Sequence, residues 1–417
     1  MYRSIRLFAA ALLLAGCAVD PLEDMSPSSP PDYSTENPER VHAWLWAYSS
    51  TDDSIHVLHT VDKQRWESLA LRMDRSMGFA TAGLIGGGIY PTIWAADGGR
   101  ITAFTNGILD HGDHGHIVRP KNHVRIALQP DLAVVYRSVA PDRDNVVFAA
   151  LAPMGADTVG RIVTVRTSDG DTAMIGDGEP ATVVVSAGDR ILAAGGGRAG
   201  RIIRVADNSL LATVALDTPV TCGVYHASSR TAFIACRTGI DIVDMESCAH
   251  AGAIPYPGPE RVSVLRARGD ADVALGLCAA DGTAGDCVLA LDLAARTLTR
   301  VGIDGAALAG DMTEGTVALS DDGTTTVLCD LAAPKFYRVD LRDAAVERTD
   351  TPAAACPVAC DWDGSRVWAL AGTTAYQVSF ARDEIVDSIA VPARTDWIMV
   401  TSFSDNSALF DSNDHTF

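Results

Sequence analysis

The sequence is short of positive charge. It contains 33 Lys and Arg residues against 53 Asp and Glu residues, which gives a formal net charge of −20. A protein that binds nucleic acid through its phosphates needs clustered Lys and Arg side chains, so this composition argues against that class of function. The excess of carboxylates would instead draw cations toward any concave acidic site.

Sequence signatures of several enzyme classes are also missing. There is no GxSxG nucleophile elbow, and there is no CxxC pair that would indicate a zinc cluster held by thiolates. The segment Gly195–Gly200 matches GxGxxG, but a dinucleotide site needs a helix after the glycines. The β-branched stretch Arg201–Val205 follows instead, which indicates a hairpin loop. Nothing amounts to an acid/base pair for hydrolysis, so we expect a protein that is not an enzyme.

No apolar run is long enough to cross a bilayer, which takes roughly 20 residues. The apolar run Leu7–Leu14 follows two arginines, as in a signal peptide. The four residues that end at Cys17 match the lipobox of bacterial lipoproteins. We therefore predict a signal peptide at 1–16, a lipid on Cys17 and a flexible tether at 17–40 that is rich in Pro and Ser. The predicted location is the periplasm, anchored to a membrane by this lipid only, and Ala18 favours the outer membrane. The alternative is an ordinary signal peptide.

The rest of the chain lacks a convincing long amphipathic helix and is built from short apolar segments separated by Asp-Gly turns. Such spacing is typical of all-β folds. A unit of two apolar strands and a strand that ends in a Val-Asp-like step recurs about every 45 residues, the period of propeller blades. Three examples of the final step are Ile240–Asp244, Val288–Asp292 and Phe336–Asp340.

This repeat predicts a β-propeller over residues 41–405, with a short tail at 406–417. We count eight blades, although seven remain possible because the unit from Leu132 to Asp171 is irregular. The closing stretch Trp397–Ser402 is expected to complete the first blade, because ring closure leaves only short, protected sheet edges.

Eight cysteines follow Cys17, and all lie beyond residue 220. Export would permit disulfides. Two pairs flank predicted hairpin turns, so we predict the bridges Cys222–Cys236 and Cys278–Cys287. The other four allow three pairings that the sequence does not distinguish: Cys248, Cys329, Cys356 and Cys360.

The most distinctive local feature is the segment Asp110–His116, which holds three of the ten histidines and two carboxylates. Imidazole nitrogens and carboxylate oxygens are ligands that zinc accepts, and the interspersed glycines allow the backbone to fold around one ion. The alternative is a solvated polar loop. We predict a Zn²⁺ site formed by His111, Asp113, His114 and His116, with His226 from a distant hairpin as a further candidate.

The same residues resemble a known family, the periplasmic zinc metallochaperones associated with Azt-type zinc ABC transporters, which are β-propellers. Three collinear segments carry the resemblance: Arg100–His116, Cys222–Val243 and Ile254–Val262. By this resemblance His111, Asp113, His114 and His226 match motif positions, and His116 extends the loop. The chain departs from the family in Val146–Met154, which holds no histidine, and after His226, where Ala227 and Ser228 stand in place of an expected glutamate.

The resemblance implies zinc capture by ligand exchange and delivery of zinc to a periplasmic zinc-binding protein of an ABC transporter. Two other functions remain open. The first is a non-enzymatic interaction scaffold of the cell envelope, in which the histidine segment is incidental. The second is a lactonase-like propeller hydrolase with an axial metal, whose ligands would come from several blades and would not show in sequence spacing.

Overall fold

A computed structural model describes residues 44–401 apart from a set of shorter segments, the longest of which is 71–83. The predicted signal peptide, Cys17, tether and tail lie outside the described residues. Every regular element in the described part is a β-strand. No helix in that part is long and apolar enough to cross a membrane.

The strands form eight four-stranded antiparallel sheets and one two-stranded sheet within the described residues. We call the four-stranded sheets blades 1 to 8. Blade 1 contains β1 (Trp44–Ser49), β2 (Ser54–His59) and β3 (Arg65–Ala70), together with the last strand of the chain. Blade 2 contains β4 (Leu84–Gly87), β5 (Thr92–Asp97), β6 (Arg100–Thr105) and β9 (Asn122–Ala127). The two-stranded sheet is formed by β7 (Ile108–Asp110) and β8 (Gly115–Ile117).

Blades 3 to 5 each use four consecutive strands. Blade 3 contains β10 (Leu132–Val139), β11 (Val146–Pro153), β12 (Arg161–Arg166) and β13 (Thr172–Ile175). Blade 4 contains β14 (Val183–Ser186), β15 (Arg190–Ala194), β16 (Ala199–Arg204) and β17 (Leu210–Ala215). Blade 5 contains β18 (Cys222–His226), β19 (Thr231–Ala235), β20 (Gly239–Asp244) and β21 (Ala249–Pro255).

Blades 6 to 8 repeat this order. Blade 6 contains β22 (Arg261–Arg266), β23 (Val273–Ala279), β24 (Cys287–Asp292) and β25 (Thr297–Gly302). Blade 7 contains β26 (Val317–Leu319), β27 (Thr325–Cys329), β28 (Lys335–Asp340) and β29 (Val346–Asp350). Blade 8 contains β30 (Val358–Cys360), β31 (Arg366–Ala371), β32 (Thr374–Ser379) and β33 (Glu384–Ala390). The final strand is β34 (Thr395–Thr401).

The two ends of the described chain meet in blade 1. Strand β34 pairs with β1 in antiparallel register, with Trp44 opposite Thr401 and Tyr48 opposite Trp397. The first strands of neighbouring blades also contact each other, as β14 does with β18 and β18 with β22. The predicted β-propeller, its count of eight blades and its closure by the last strand are therefore confirmed within the described residues.

The hydrophobic core lies between the blades. Side chains alternate along a strand, so a strand that is buried on both faces reads as a continuous apolar run. In β23, Val273 and Leu275 pack toward blade 7, whereas Ala274 and Cys278 pack toward blade 5. Each fully buried Leu or Val contributes roughly 1.5–3 kcal/mol, so these inter-blade layers hold the ring together.

The recurrent Val-Asp step has a local structural cause. The Asp244 carboxylate ends β20 and accepts hydrogen bonds from the backbone N–H of Glu246 (2.8 Å) and Ser247 (2.9 Å). Asp340 accepts the two equivalent N–H groups in blade 7, and Asp292 accepts the N–H of Ala295 in the corresponding turn of blade 6. In each turn the residue four positions after the aspartate has a left-handed backbone: Cys248 (φ 55°), Arg296 (φ 57°) and Ala344 (φ 54°). The aspartate therefore marks the turn between the third and fourth strands of a blade.

The predicted Cys222–Cys236 bridge is wrong. The hairpin forms, but its register places Cys222 opposite Ala235 rather than Cys236. A shift of one residue sends a side chain to the other face of the sheet. Cys222 accordingly packs between blades 5 and 6, and Cys236 packs between blades 4 and 5. No disulfide joins any of the described cysteines, and Cys356 lies outside the described residues.

Candidate metal-binding site

The histidine segment belongs to an insertion in blade 2. Strand β6 pairs with β9, with Ala103 opposite Val124, and the hairpin of β7 and β8 occupies the chain between these two strands. His116 lies in β8, where its backbone is opposite Leu109. His111, Asp113 and His114 lie outside the described residues, so their role as zinc ligands stays a prediction.

His226 is the last residue of β18 and is buried, with 3 % of its side chain exposed. Its Nδ1 lies 2.8 Å from Ser229 Oγ in the hairpin turn of the same blade. Its Nε2 lies 2.9 Å from Asp272 Oδ1, which belongs to the segment before β23 of blade 6. The imidazole therefore bridges two blades, and both of its ring nitrogens have a polar neighbour.

The pair of His226 and Asp272 offers one nitrogen and one oxygen donor at a partly open position. The Asp272 side chain is 61 % exposed, so the carboxylate side of the pair faces solvent. If Nε2 of His226 and the Asp272 carboxylate held a zinc ion, Nδ1 would still be hydrogen-bonded to the Ser229 hydroxyl. Histidines that bind a metal usually have such a hydrogen bond on their other ring nitrogen. Among the described residues no group of three or more His, Cys, Asp or Glu side chains could hold a metal. A site here would need further ligands.

Asp272 was missed from the sequence, because the contact joins residues 46 positions apart in different blades. Blades 3 and 4 separate the histidine segment of blade 2 from His226 of blade 5. The described structure therefore brings His226 together with Ser229 and Asp272, and it does not join His226 to His116 in one blade.

A second polar cluster, also missed from the sequence, surrounds the buried carboxylate of Asp241. Its Oδ2 accepts the backbone N–H of Asp217 at 2.7 Å and the thiol of Cys236 at 3.4 Å. Its Oδ1 lies 3.3 Å from Nε2 of His250. A buried carboxylate needs such partners to offset its lost hydration. We interpret the cluster as structural, because it fixes the segment that enters blade 5.

The buried cysteines are poor nucleophiles. Burial raises the pKa of Cys222 to about 12. Burial is also the larger cause that raises the pKa of Cys236 well above its usual range, and the nearby Asp241 carboxylate is the second cause. Only the thiolate attacks a substrate. These two thiols therefore offer no reactive thiolate near neutral pH, although no disulfide ties them up.

No family model and no curated protein sequence matches this chain. Solved structures do match, and β-propellers are among them. The fold and the inserted hairpin thus define the class of this protein as an all-β propeller.

The relatives in structure include AztD from Citrobacter koseri. Its apo structure aligns with a TM-score of 0.66 and 12 % identity over 87 % of this chain and 98 % of that chain. A second AztD crystal structure aligns with a TM-score of 0.67 and 13 % identity over 87 % and 99 %. Dihydro-heme d1 dehydrogenase NirN, in complex with DHE, aligns with a TM-score of 0.57 and 13 % identity over 90 % and 78 %. At these identities the likeness shows an AztD-like propeller fold alone, and because NirN is a dehydrogenase by name, the fold does not separate binding proteins from enzymes.

Proposed function

We propose that this protein is a zinc-binding propeller that captures Zn²⁺ and passes it to the zinc-binding protein of an ABC transporter. The observation that carries the proposal is the dense histidine segment on an inserted hairpin of an AztD-like propeller. The sequence resemblance to Azt-type zinc metallochaperones falls on this same segment. The transfer would proceed by ligand exchange, with no covalent chemistry.

The position of the hairpin supports a role in exchange rather than in stability. Blade 2 is complete without β7 and β8, because β6 pairs directly with β9. Structural zinc sites are closed by four protein ligands and contribute folding energy outright, a contribution that the sheet of blade 2 does not need from this hairpin. An insertion outside the four-stranded sheet can gain or lose a metal without changing the strand pairing of the blade.

The test is a zinc titration of the chain against a competing chelator. The variant with His111, His114 and His116 all changed to Ala should bind zinc at least about 100-fold more weakly, because it loses three direct nitrogen donors and loss of a single outer-shell partner already costs about 10–100-fold. His250→Ala is the matched control, since His250 is a half-exposed histidine outside the proposed site. A control variant as weak as the triple variant would indicate nonspecific binding.

Two other outcomes decide between the alternatives. Tight binding that persists in the triple variant but is lost in His226→Ala would move the zinc site to the pair of His226 and Asp272. Absence of tight binding in the unmodified chain would reject zinc delivery, and the interaction-scaffold function would then be favoured. Asp113→Asn would test the carboxylate ligand separately.

We also propose that the chain is exported and acylated at Cys17, as its first seventeen residues predict. Cells that produce the chain should incorporate radiolabelled palmitate into it, and Cys17→Ser should abolish the label and release the protein from the membrane fraction. A labelled Cys17→Ser protein would contradict acylation at this residue.

A further inference from the structure

Two thiols of blade 6 face each other across neighbouring strands. Cys278 is the next-to-last residue of β23, and Cys287 is the first residue of β24. Leu277 pairs with Val288 in this antiparallel ladder, so the next pair outward is Cys278 with Cys287. The Cys287 thiol donates to Sγ of Cys278 at 3.8 Å.

The two side chains also lie on the same face of the sheet. Both belong to the apolar layer between blades 5 and 6, and both are at most 2 % exposed. The contrast with Cys222 and Cys236 is sharp, because those side chains lie on opposite faces of blade 5. Of these two pairs, the one in blade 6 has the cross-strand position that a disulfide requires.

We propose that Cys278 and Cys287 form a dithiol that closes into a cross-strand disulfide when the chain folds in the presence of a disulfide oxidant. One thiolate attacks the oxidant and forms a mixed disulfide, which releases one reduced thiol. The second cysteine then attacks the sulfur of the first, which forms the Cys278–Cys287 bond and releases the other reduced thiol. Two protons leave the protein, and its two electrons reduce the oxidant. This inference does not rest on the zinc proposal.

We expect the Cys278–Cys287 disulfide to form while the chain folds, and not after the propeller is complete. The hydrogen bond with Cys287 and then burial raise the pKa of Cys278 well above its usual range, so the thiolate that starts the exchange is scarce once the layer is packed. In the unfolded chain both thiols are exposed and only nine positions apart, so exchange can occur before the strands pair.

The experiment refolds the reduced full chain from urea with either oxidised glutathione or a reductant, and then maps its peptides. Trypsin leaves both cysteines in one peptide, 269–296, which contains no other cysteine. After oxidative refolding this peptide should resist alkylation and weigh two hydrogen atoms less. Cleavage before aspartate should give the fragments 272–280 and 286–291 still joined.

Three variants make the result specific. Cys278→Ser and Cys287→Ser should each abolish the joined fragments, and the double variant Cys222→Ser/Cys236→Ser should retain them. The oxidised chain should unfold about 2–5 °C above the reduced chain, a shift that both single variants lack. Circular dichroism shows that each variant has refolded. Two alkylatable thiols in peptide 269–296, persistent glutathione on either cysteine, or a bond from Cys278 to another cysteine would each overturn the proposal.

Discussion

The contact of His226 with Asp272 allows the sharpest test of how neighbouring blades are joined. His226→Ala removes a buried imidazole together with its hydrogen bonds to Ser229 and Asp272. Each hydrogen bond contributes about 0.5–1.5 kcal/mol to stability. The loss of the buried ring also leaves a cavity, which lowers the stability further. We expect the free energy of unfolding to fall by about 2–3 kcal/mol.

Asp272→Ala removes only the contact between blades. The carboxylate is 61 % exposed, so its own hydration offsets much of its attraction to the imidazole. The loss of stability arises mainly because the buried Nε2 loses its hydrogen-bond partner. We expect the free energy of unfolding to fall by about 1 kcal/mol. Asp272→Asn is the matched control, since its amide oxygen still accepts a hydrogen bond from Nε2 and should preserve most of the stability.

Urea unfolding of both single variants and the double variant forms a double-mutant cycle. A real contact between His226 and Asp272 should give a coupling energy of about 1 kcal/mol. Additivity within about 0.3 kcal/mol would refute the inter-blade link. Repeating the cycle with zinc separates the two roles of His226, because a ligand at 100 times its Kd stabilises by about 2.7 kcal/mol. If zinc stabilised His226→Ala as much as the unmodified chain, His226 would have no part in metal binding.

Two further predictions concern blade 5. Asp244→Ala should lower the free energy of unfolding by about 1 kcal/mol at pH 7, because it removes the acceptor of two turn N–H groups. The hydrogen bond from the backbone N–H of Ser247 is the main cause that lowers the pKa of Asp244 in the folded state. The ionised Asp244 carboxylate therefore contributes its full stabilisation above the unfolded-state pKa near 3.9. This stabilisation is lost as the pH falls through the lower folded-state pKa. In urea unfolding, the difference in free energy of unfolding between the unmodified chain and Asp244→Ala should become smaller below about pH 4. A difference that stays constant with pH would contradict the capping role. Gly239→Ala should cost about 1–3 kcal/mol, since its Cβ would lie 2.2 Å from the backbone oxygen of Ile254; Gly302→Ala, which meets only the end of the Arg300 side chain, should be nearly neutral in the same assay.

The blade repeat was predictable because its signals are local. An aspartate such as Asp244 or Asp340 accepts N–H groups only two and three residues away, so the turn is written in a few consecutive residues. The apolar runs are equally direct, since strands buried on both faces read as near-continuous apolar runs. The period of these two signals predicted the ring and its closing strand.

Contacts between blades were not predictable in the same way. Asp272 meets His226 across 46 residues, and no spacing rule connects them. The Cys222–Cys236 prediction assumed a symmetrical turn, and a register that differs by one residue placed the thiols on opposite faces. The Cys278–Cys287 prediction assumed a turn of the same kind. Here the register, continued one pair beyond Leu277 and Val288, does place the two thiols opposite each other, although no disulfide joins them in the described structure. Register in a hairpin depends on turn geometry, which residue types alone did not fix here.

The arrangement of donors suggests how ring and insertion divide the work. Within the described residues, the layers on either side of blade 5 are apolar, and the contact of His226 with Asp272 joins one imidazole to one carboxylate. A pair is too small a ligand set to hold zinc by itself. The histidine segment instead belongs to the hairpin of β7 and β8, outside the direct pairing of β6 with β9. Because the blade does not need this hairpin to complete its sheet, zinc held there under the proposed function would be exchanged while the ring stays folded. We infer that the ring supplies a rigid frame and the insertion supplies the exchangeable ligands.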